Sequence, residues 1–287
     1  MRWRGRRKSD NIEDRRGQSY SGRGRGGKIG GGGFIILMLI GVFFGQDISS
    51  MLAPLFSGPS NSAYQNSSPA SRGAPTAQDD EVAQFVSVIL AETEDTWNAV
   101  FARLGKRYQA PTLVLYNDRV SSACGVSSAQ SGPFYYPGYY KVYIDLSFLN
   151  ELRNMGAPGD FAFAYVIAHE VGHHVQNLVG VASQVRNQQA RSSKAQANAL
   201  SVRMELQADC LAGVWINHTE SRSNILEQGD LQEGFEAAAA VGDDRIFRQS
   251  GRAPRREAFT HGSSQERMQW FEQGVRSGNI ESCNTFG

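Results

Sequence analysis

The stretch YVIAHEVGHHVQ, residues 165–176, decides how the rest of the chain is interpreted. It contains His169, Glu170 and His173 in the pattern H-E-x-x-H. On an α-helix, residues four apart lie on one face, so these two imidazoles can reach one metal ion. Glu170 lies beside them, where its carboxylate can accept a proton from a metal-bound water. The neighbouring His174 faces about 100° away and is expected to be structural. Apolar flanking residues at helical spacing predict a half-buried helix.

A second stretch, RMELQADC at residues 203–210, supplies a candidate third ligand. Catalytic zinc sites use three protein ligands and a water, so the two imidazoles leave one protein position to fill. Glu205 and Asp209 are four apart and share one face of a predicted helix that is otherwise mostly apolar. Buried acids are costly unless they are paired or bind a metal. We therefore expect Glu205 to bind Zn²⁺ and Asp209 to accept the free ring N–H of a ligand histidine.

Together the two motifs resemble the putative neutral zinc metallopeptidase family of bacterial membrane-anchored proteins. The similarity is carried by HEVGHHVQ at 169–176 and ELQADCLAG at 205–213. It extends over most of residues 80–287 through four further segments: 132–135, 142–148, 159–162 and 259–264. The motif pattern is also similar to that of the M48 peptidases. The resemblance implies an α+β, zincin-like metallopeptidase domain that is mostly helical with a small sheet.

The resemblance also assigns roles outside these two helices. In the M48 pattern a histidine is followed by an arginine at positions similar to His261 and Arg267. It implies that His261 hydrogen-bonds the oxyanion and that Arg267 pairs with Asp209 or another acid near the site. The alternative is a loop histidine beside an ordinary helical arginine. The resemblance further suggests that the strand predicted at 141–146 pairs with extended substrate, and a simple scaffold strand is the competing interpretation.

The chain has three cysteines, Cys124, Cys210 and Cys283. An odd number leaves at least one of them without an intramolecular partner. The family has a fourth cysteine in the segment that corresponds to 134–137, where this chain has Tyr136. The resemblance therefore implies that Cys124 is free and that Cys210 and Cys283 can pair, tying the C-terminus to the Glu205 helix. Such a disulfide contributes about 2 to 4 kcal/mol, whereas a reducing compartment would leave three thiols.

Positive charge is concentrated at the start of the chain. Residues 1–28 hold ten Lys or Arg against three acids, a net of +7, so the remainder of this chain of net charge +1 carries −6. The apolar run 34–44 follows, and no charged residue occurs between Lys28 and Asp47. An uncleaved signal anchor at 29–45, a cleaved signal peptide and a buried core helix are the alternatives. The polar flanks and the absence of small residues for cleavage favour the anchor.

The positive-inside rule then predicts the topology. Residues 1–28 are expected to form a basic cytoplasmic head and 29–45 a single transmembrane helix. A flexible linker, 46–78, would lead to a metallopeptidase domain at 79–287 that is periplasmic or extracellular. The head also contains a glycine pattern, G-x-G-x-x-G, but no strand precedes it, so a phosphate loop is not expected. An Arg-rich head can bind nucleic acid nonspecifically; we expect no specific nucleic-acid partner.

The sequence thus predicts a membrane-anchored zinc metalloendopeptidase that acts on a protein or peptide substrate. In this hypothesis His169, His173 and Glu205 bind Zn²⁺. Glu170 is the general base for a zinc-activated water and later passes the proton to the leaving amine. The alternative is a non-enzymatic envelope protein that keeps the zincin fold as a binding or regulatory module. Only the first hypothesis predicts chelator-sensitive cleavage of an unfolded protein such as casein.

Overall fold

The computed structural model describes residues 1–17, 76–117 and 132–287, together with the backbone of 119–122 and 125–128. This part of the chain is mostly helical with a small sheet. Its helices are α1 (Ala77–Arg103), α2 (Phe148–Asn154), α3 (Asp160–Leu178), α4 (Val181–Gln189), α5 (Lys194–Ser223), α6 (Asp230–Ala240), α7 (Asp243–Gln249) and α8 (Ser264–Ser277). Its strands are β1 (Ile12–Asp14), β2 (Thr112–Tyr116), β3 (Arg119–Ser122), β4 (Gly125–Ser128), β5 (Phe134–Tyr136) and β6 (Lys141–Asp145). Short 3₁₀ turns lie at Pro137–Tyr139, Arg256–Ala258 and Ile280–Cys283.

The main sheet has four strands in the order β1-β2-β6-β5. Strands β1 and β6 run parallel to β2, and β5 runs antiparallel to β6. Residues 141–143 of β6 pair with both β2 and β5, so a substrate strand cannot pair with that part of the segment. For 144–146 the substrate role stays a prediction. In the part of the chain that the structure describes, β5 pairs only with β6 and forms an edge of this sheet. Strands β3 and β4 form a separate antiparallel pair.

Helix α3 lies at the centre of the core. Every residue from Phe161 to Gln176 is buried, so the predicted half-buried helix is in fact enclosed on all sides. It packs against α1, α5 and α6. Because the helix has no solvent-facing side over this stretch, its histidines and Glu170 are buried with the apolar residues, and each needs a polar partner inside the protein.

Glycines allow neighbouring helices to approach α5 at backbone distance. A Cβ atom on Gly172 of α3 would lie 3.0 Å from the carbonyl oxygen of Ala208. On the other side of α5, a Cβ atom on Gly274 of α8 would lie 1.9 Å from the carbonyl oxygen of Cys210. No side chain fits at either position without a shift of backbone. The middle of α5, including Glu205 and Asp209, is therefore enclosed between α3 and α8.

His174 attaches α3 to the sheet side of the molecule. Its Nε2 atom lies 2.6 Å from the carbonyl oxygen of Gln109, and its Nδ1 atom lies 2.9 Å from the hydroxyl of Tyr135 in β5. A carbonyl only accepts, so Nε2 carries the proton and Nδ1 accepts from the tyrosine hydroxyl. The neutral imidazole is thus fully hydrogen-bonded, and His174 is structural, as its position on the helix predicted.

The first seventeen residues are part of the same folded body. Strand β1 extends the main sheet, and Trp3 packs edge-to-face on Phe85 of α1 with ring centroids 5.5 Å apart. On the same helix, the buried Glu94 accepts hydrogen bonds from Arg7 at 3.0 Å and Asn11 at 2.8 Å, as well as from a serine hydroxyl. Among residues 1–17, four basic residues pair with acids of α1: Arg4, Arg6, Arg7 and Arg16.

The predicted membrane topology must be corrected. It placed residues 1–28 and 79–287 on opposite sides of a membrane, but residues 1–17 pair with β2 and contact α1. Across the described ranges, none of the helices combines the length and apolar character that crossing a membrane requires. We therefore withdraw the transmembrane helix from the fold class, the membrane partner and the single-pass location. The span predicted at 29–45 lies outside the described residues, as does nearly all of the linker 46–78. The domain boundaries themselves stay a prediction.

Replacing Glu94 by Ala should lower the free energy of unfolding by about 2 kcal/mol, because Ser9 and Asn11 lose a buried acceptor and Arg7 loses one of its two acids. Asp95→Ala is the matched control. Asp95 binds the same Arg7 guanidinium at 2.7 Å, but its side chain is 45% exposed. Its loss should cost less than about 1 kcal/mol. Urea unfolding measures both losses, and equal values would contradict the importance of the buried contact.

The contribution of His174 to the free energy of unfolding should decrease by roughly 3 kcal/mol as the pH falls from about 6.5 to 4. Burial lowers the pKa of His174 from 6.5 to about 4. Between these pH values the His174 ring is protonated in the unfolded chain but stays neutral in the folded protein. Above about pH 6.5 the contribution is complete. A His174→Gln variant, which keeps a donor for Gln109, should show a flatter decrease between these pH values. Urea unfolding of both proteins tests this, and parallel pH dependences would refute the assignment.

Candidate metal centre

Three side chains from two helices converge in the interior of the protein. His169 and His173 come from α3 and Glu205 from α5, and one ligand atom of each lies within 4.8 Å of the others. The Glu205 oxygens lie 3.2 Å from His169 Nε2 and 3.4 Å from His173 Nε2. All three side chains are buried. Two imidazole nitrogens and one carboxylate form a ligand set of the kind that binds catalytic zinc, so this group could hold a metal ion.

Glu170 lines the same cavity, which has a volume of about 60 Å³. Its side chain is buried, and its Oε2 atom has no hydrogen-bond partner among the residues that the structure describes. Burial raises the pKa of this carboxyl group, against the opposing effect of the two nearby histidines. Leaving a buried carboxylate oxygen unpaired is costly. The unpaired Oε2 atom of Glu170 therefore indicates that the cavity receives a polar group beside the three ligands.

Asp209 fixes the orientation of His169. Its Oδ1 atom lies 2.8 Å from His169 Nδ1, and since a carboxylate only accepts, the ring donates through Nδ1 and turns Nε2 toward Glu205. Arg267 donates to both oxygens of Asp209 at 2.8 Å, and the hydroxyl of Tyr165 donates to Oδ1. Burial alone would raise the pKa of Asp209, but Arg267 and His169 hold it below its usual range. The aspartate thus stays charged in the core.

The carboxylates also control the protonation of His169. Burial would lower its pKa, but Asp209 and Glu205 raise it to about 9. Burial would likewise raise the pKa of Glu205, yet its contacts with the His173 and His169 rings hold it well below its usual range. Without a metal, the two groups therefore form a charged pair. A divalent cation that binds His169 Nε2 at neutral pH has to displace a proton from the ring.

His173 has its own orienting partner, which sequence reasoning missed. Its Nδ1 atom lies 2.8 Å from the side-chain oxygen of Gln176, one turn further along α3. The amide nitrogen of Gln176 in turn donates to the carbonyl of Met204 at 2.7 Å, next to Glu205 on α5. The three-residue spacing between His173 and Gln176, with both side chains on one helix face, is the signal that could have identified it.

His261 and Arg267 both reach the site from the C-terminal part of the chain. His261 lines the same cavity as Glu170 and is 4% exposed, while Arg267 pairs with Asp209, one of the partners expected for it. The ring of His261 lies 3.1 Å from Asp243 of α7, measured from Nδ1 to Oδ1. Sequence reasoning missed Asp243, because an acid in the first turn of a short helix has an ordinary explanation as a helix-end charge.

Cys210, Cys283 and His218 are not among the residues that line this cavity. Cys210 of α5 and Cys283 are joined by a disulfide that links residues 73 apart. The bridge holds the C-terminal turn against α5, one residue beyond Asp209. Cys124 lies outside the described residues. His218 donates from Nε2 to the carbonyl of Gly278 at 2.8 Å and so closes the end of α8.

Comparisons with known proteins agree with the chemistry of this centre. A family model described as "Putative neutral zinc metallopeptidase" matches residues 1–286. The uncharacterized protein YpfJ of Escherichia coli strain K12 is 47% identical over 294 residues, which cover 100% of this chain and 99% of that protein. The uncharacterized protein Rv2575 of Mycobacterium tuberculosis is 38% identical over 214 residues, 71% of each chain. No solved structure matches the chain.

Proposed function

Because the chain belongs to the putative neutral zinc metallopeptidase family, we propose that it is a zinc-dependent endopeptidase whose metal ligands are His169, His173 and Glu205. The observation that carries the proposal is the convergence of these three buried side chains within 4.8 Å. Asp209 orients the first ring and Gln176 the second, each through Nδ1, so both Nε2 atoms are left to bind the ion. The substrate class is protein or peptide, in keeping with a peptidase family.

Zinc bound by this group would supply a Lewis acid that polarises a peptide carbonyl and lowers the pKa of a water molecule. In this proposal Glu170 Oε2 accepts the proton of the attacking water and then delivers it to the amine that leaves. Two observations support the role: Oε2 has no other partner in the described part of the chain, and burial raises the pKa of the carboxyl group. A raised pKa favours proton exchange closer to neutral pH.

The walls of the cavity favour an extended substrate with an apolar side chain near the cleaved bond. Gly132 and Pro133 line the cavity and lead directly into the edge strand β5, whose main chain can pair with a peptide. The rest of the wall beside the ligands is mainly apolar: Phe148, Val166, Val241 and Ile246. His261 Nε2 is the ring atom available to donate a hydrogen bond to the developing oxyanion.

The Glu170→Gln variant tests the general base. It should bind zinc at the wild-type stoichiometry, because Glu170 is not a ligand, but it should lose about 100- to 10,000-fold in the rate of casein hydrolysis. Zinc content by atomic absorption and the initial rate of casein cleavage are the two measurements. The wild-type rate should also disappear on treatment with a chelator. A variant with an undiminished rate, or a wild-type protein that never cleaves, would favour a non-enzymatic binding module instead.

The Glu205→Ala variant tests the third ligand. Removing one of three protein ligands should lower zinc affinity to the point where the ion is lost on dialysis against a competing chelator. Glu272→Ala is the control, because Glu272 is a 52% exposed acid on α8 that pairs with Arg276 and does not line the cavity. That control should keep its zinc. Full zinc occupancy in Glu205→Ala under the same dialysis would remove Glu205 from the ligand set.

A further inference from the structure

The loop that carries His261 is built around one buried carboxylate, Asp243 at the start of α7. Its Oδ2 atom accepts three successive backbone N–H groups, from Thr260 at 2.7 Å, His261 at 2.6 Å and Gly262 at 3.0 Å. Gly262 has a φ of +93°, which lets the loop curl so that these N–H groups point to one oxygen. The side chain of Asp243 is completely buried.

The other oxygen of the same carboxylate contacts the ring. Asp243 Oδ1 lies 3.1 Å from His261 Nδ1, and the hydroxyl of Thr260 lies 3.0 Å from the same nitrogen. A carboxylate only accepts, so its bond to the ring requires a proton on Nδ1. The opposite nitrogen, Nε2, makes no hydrogen bond with any described residue. Because the ring lines the cavity beside Glu170 and Glu205, Nε2 is the atom left for a substrate.

We propose that Asp243 is the positioning residue of His261. One of its oxygens holds the loop so that the ring stays in the cavity, and the other holds a proton on Nδ1 so that Nε2 faces the substrate. Any proton that His261 shares with a reacting oxygen is then carried on Nε2. This inference deepens the proposed peptidase function, and its kinetic part rests on that function. Its structural part, the position of the ring proton, does not.

The neighbouring Asp244 also holds the loop and pairs with Arg248 on α7, but it does not contact the ring of His261. Its Oδ1 atom accepts from the backbone N–H of Ser264 at 2.7 Å and from the Ser264 hydroxyl at 2.9 Å. It fixes the start of α8, and no bond to His261 is among its contacts in the described residues. Asp244→Asn is therefore a matched control, since it makes the same chemical change one residue away on the same helix.

The ring proton can be observed directly by ¹⁵N-¹H correlation NMR of the histidine side chains in the full-length, zinc-loaded protein. His261 is assigned by comparison with a His261→Ala variant. In the wild type and in Asp244→Asn, Nδ1 of His261 should stay protonated throughout the pH range in which the protein is folded. In Asp243→Asn the new amide can present its oxygen to the three N–H groups and its NH₂ to the ring. The neutral ring should then carry its proton on Nε2. An unprotonated Nδ1 in the wild type would overturn the proposal whatever the variants do.

The kinetic test is a double-mutant cycle with casein as the probe. Asp243→Asn should lower kcat by about 10- to 100-fold, by analogy with the partners that orient metal-ligating histidines, with little change in KM. In a His261→Ala background the same substitution should have no further effect on kcat. A loss that persists in that background would show that Asp243 acts on the fold alone and would refute the proposal. If Asp243→Asn does not fold, Asp243→Glu, which keeps an acceptor but displaces it, is used in the same cycle.

The peptidase assignment and the positioning role of Asp243 can be tested separately. If the protein hydrolyses nothing, the peptidase assignment fails, but the NMR spectrum still decides whether Asp243 holds the ring proton. If casein is cleaved and the cycle shows no coupling between Asp243 and His261, the peptidase assignment stands and the positioning role is wrong. Thermal unfolding of each variant separates loss of rate from loss of folded protein.

Discussion

The centre depends on the backbone contact between α3 and α5 at Gly172 and Ala208. Metal ligands must reach a common point at about 2 Å from the ion, so helices that carry them cannot separate by the width of a side chain. The glycine in the middle of the H-E-x-x-H pattern meets this requirement, because even a methyl group would lie 3.0 Å from the Ala208 carbonyl oxygen. His169 and His173, on either side of Gly172, are thereby brought to Glu205 without any loop or lid.

The same contact leaves the site with an unusual electrostatic environment. Glu170, Glu205 and Asp209 are all buried, and Arg267 is the one guanidinium in direct contact with them in the described part of the chain. Two of these carboxylates are already paired without a metal: Arg267 binds Asp209, and the raised pKa of His169 lets its protonated ring pair with Glu205. Burial raises the pKa of Glu170, whose Oε2 atom has no partner among the described residues. A divalent cation would replace the proton on His169 Nε2 and take over the neutralisation of Glu205.

The local part of this centre was accessible from sequence, because helical spacing alone places residues four apart on one face. That rule brought together His169 with His173 and Glu205 with Asp209. It could not reveal Asp243, whose contact with His261 spans eighteen residues and depends on how a loop curls between two helices. Nor could it distinguish an interior strand from an edge strand, since pairing on both sides of β6 involves β2 and β5, segments that periodicity does not connect.

The error over the start of the chain has a physical lesson. Composition alone misassigns the Arg-rich segment, because it does not show which residues the segment binds in the fold. Yet α1 carries Glu92 and Glu94 on a helix rich in apolar residues, and both are buried. The rule that made Glu205 conspicuous, that a buried acid needs a partner, applies equally to these two. Applied there, it would have called for cations, which Arg6, Arg7 and Arg222 supply.

The docking of residues 1–17 also sets the order in which the protein can be assembled. The N–H of Arg2 bonds the carbonyl oxygen of Ile225, and β1 pairs with a strand about one hundred residues away. At ribosomal rates of 5 to 20 residues per second, about 10 to 45 s separate the synthesis of Arg2 from that of Ile225. The contact between Arg2 and Ile225 therefore forms late, whereas β1 can pair with β2 as soon as residues 112–116 have been made.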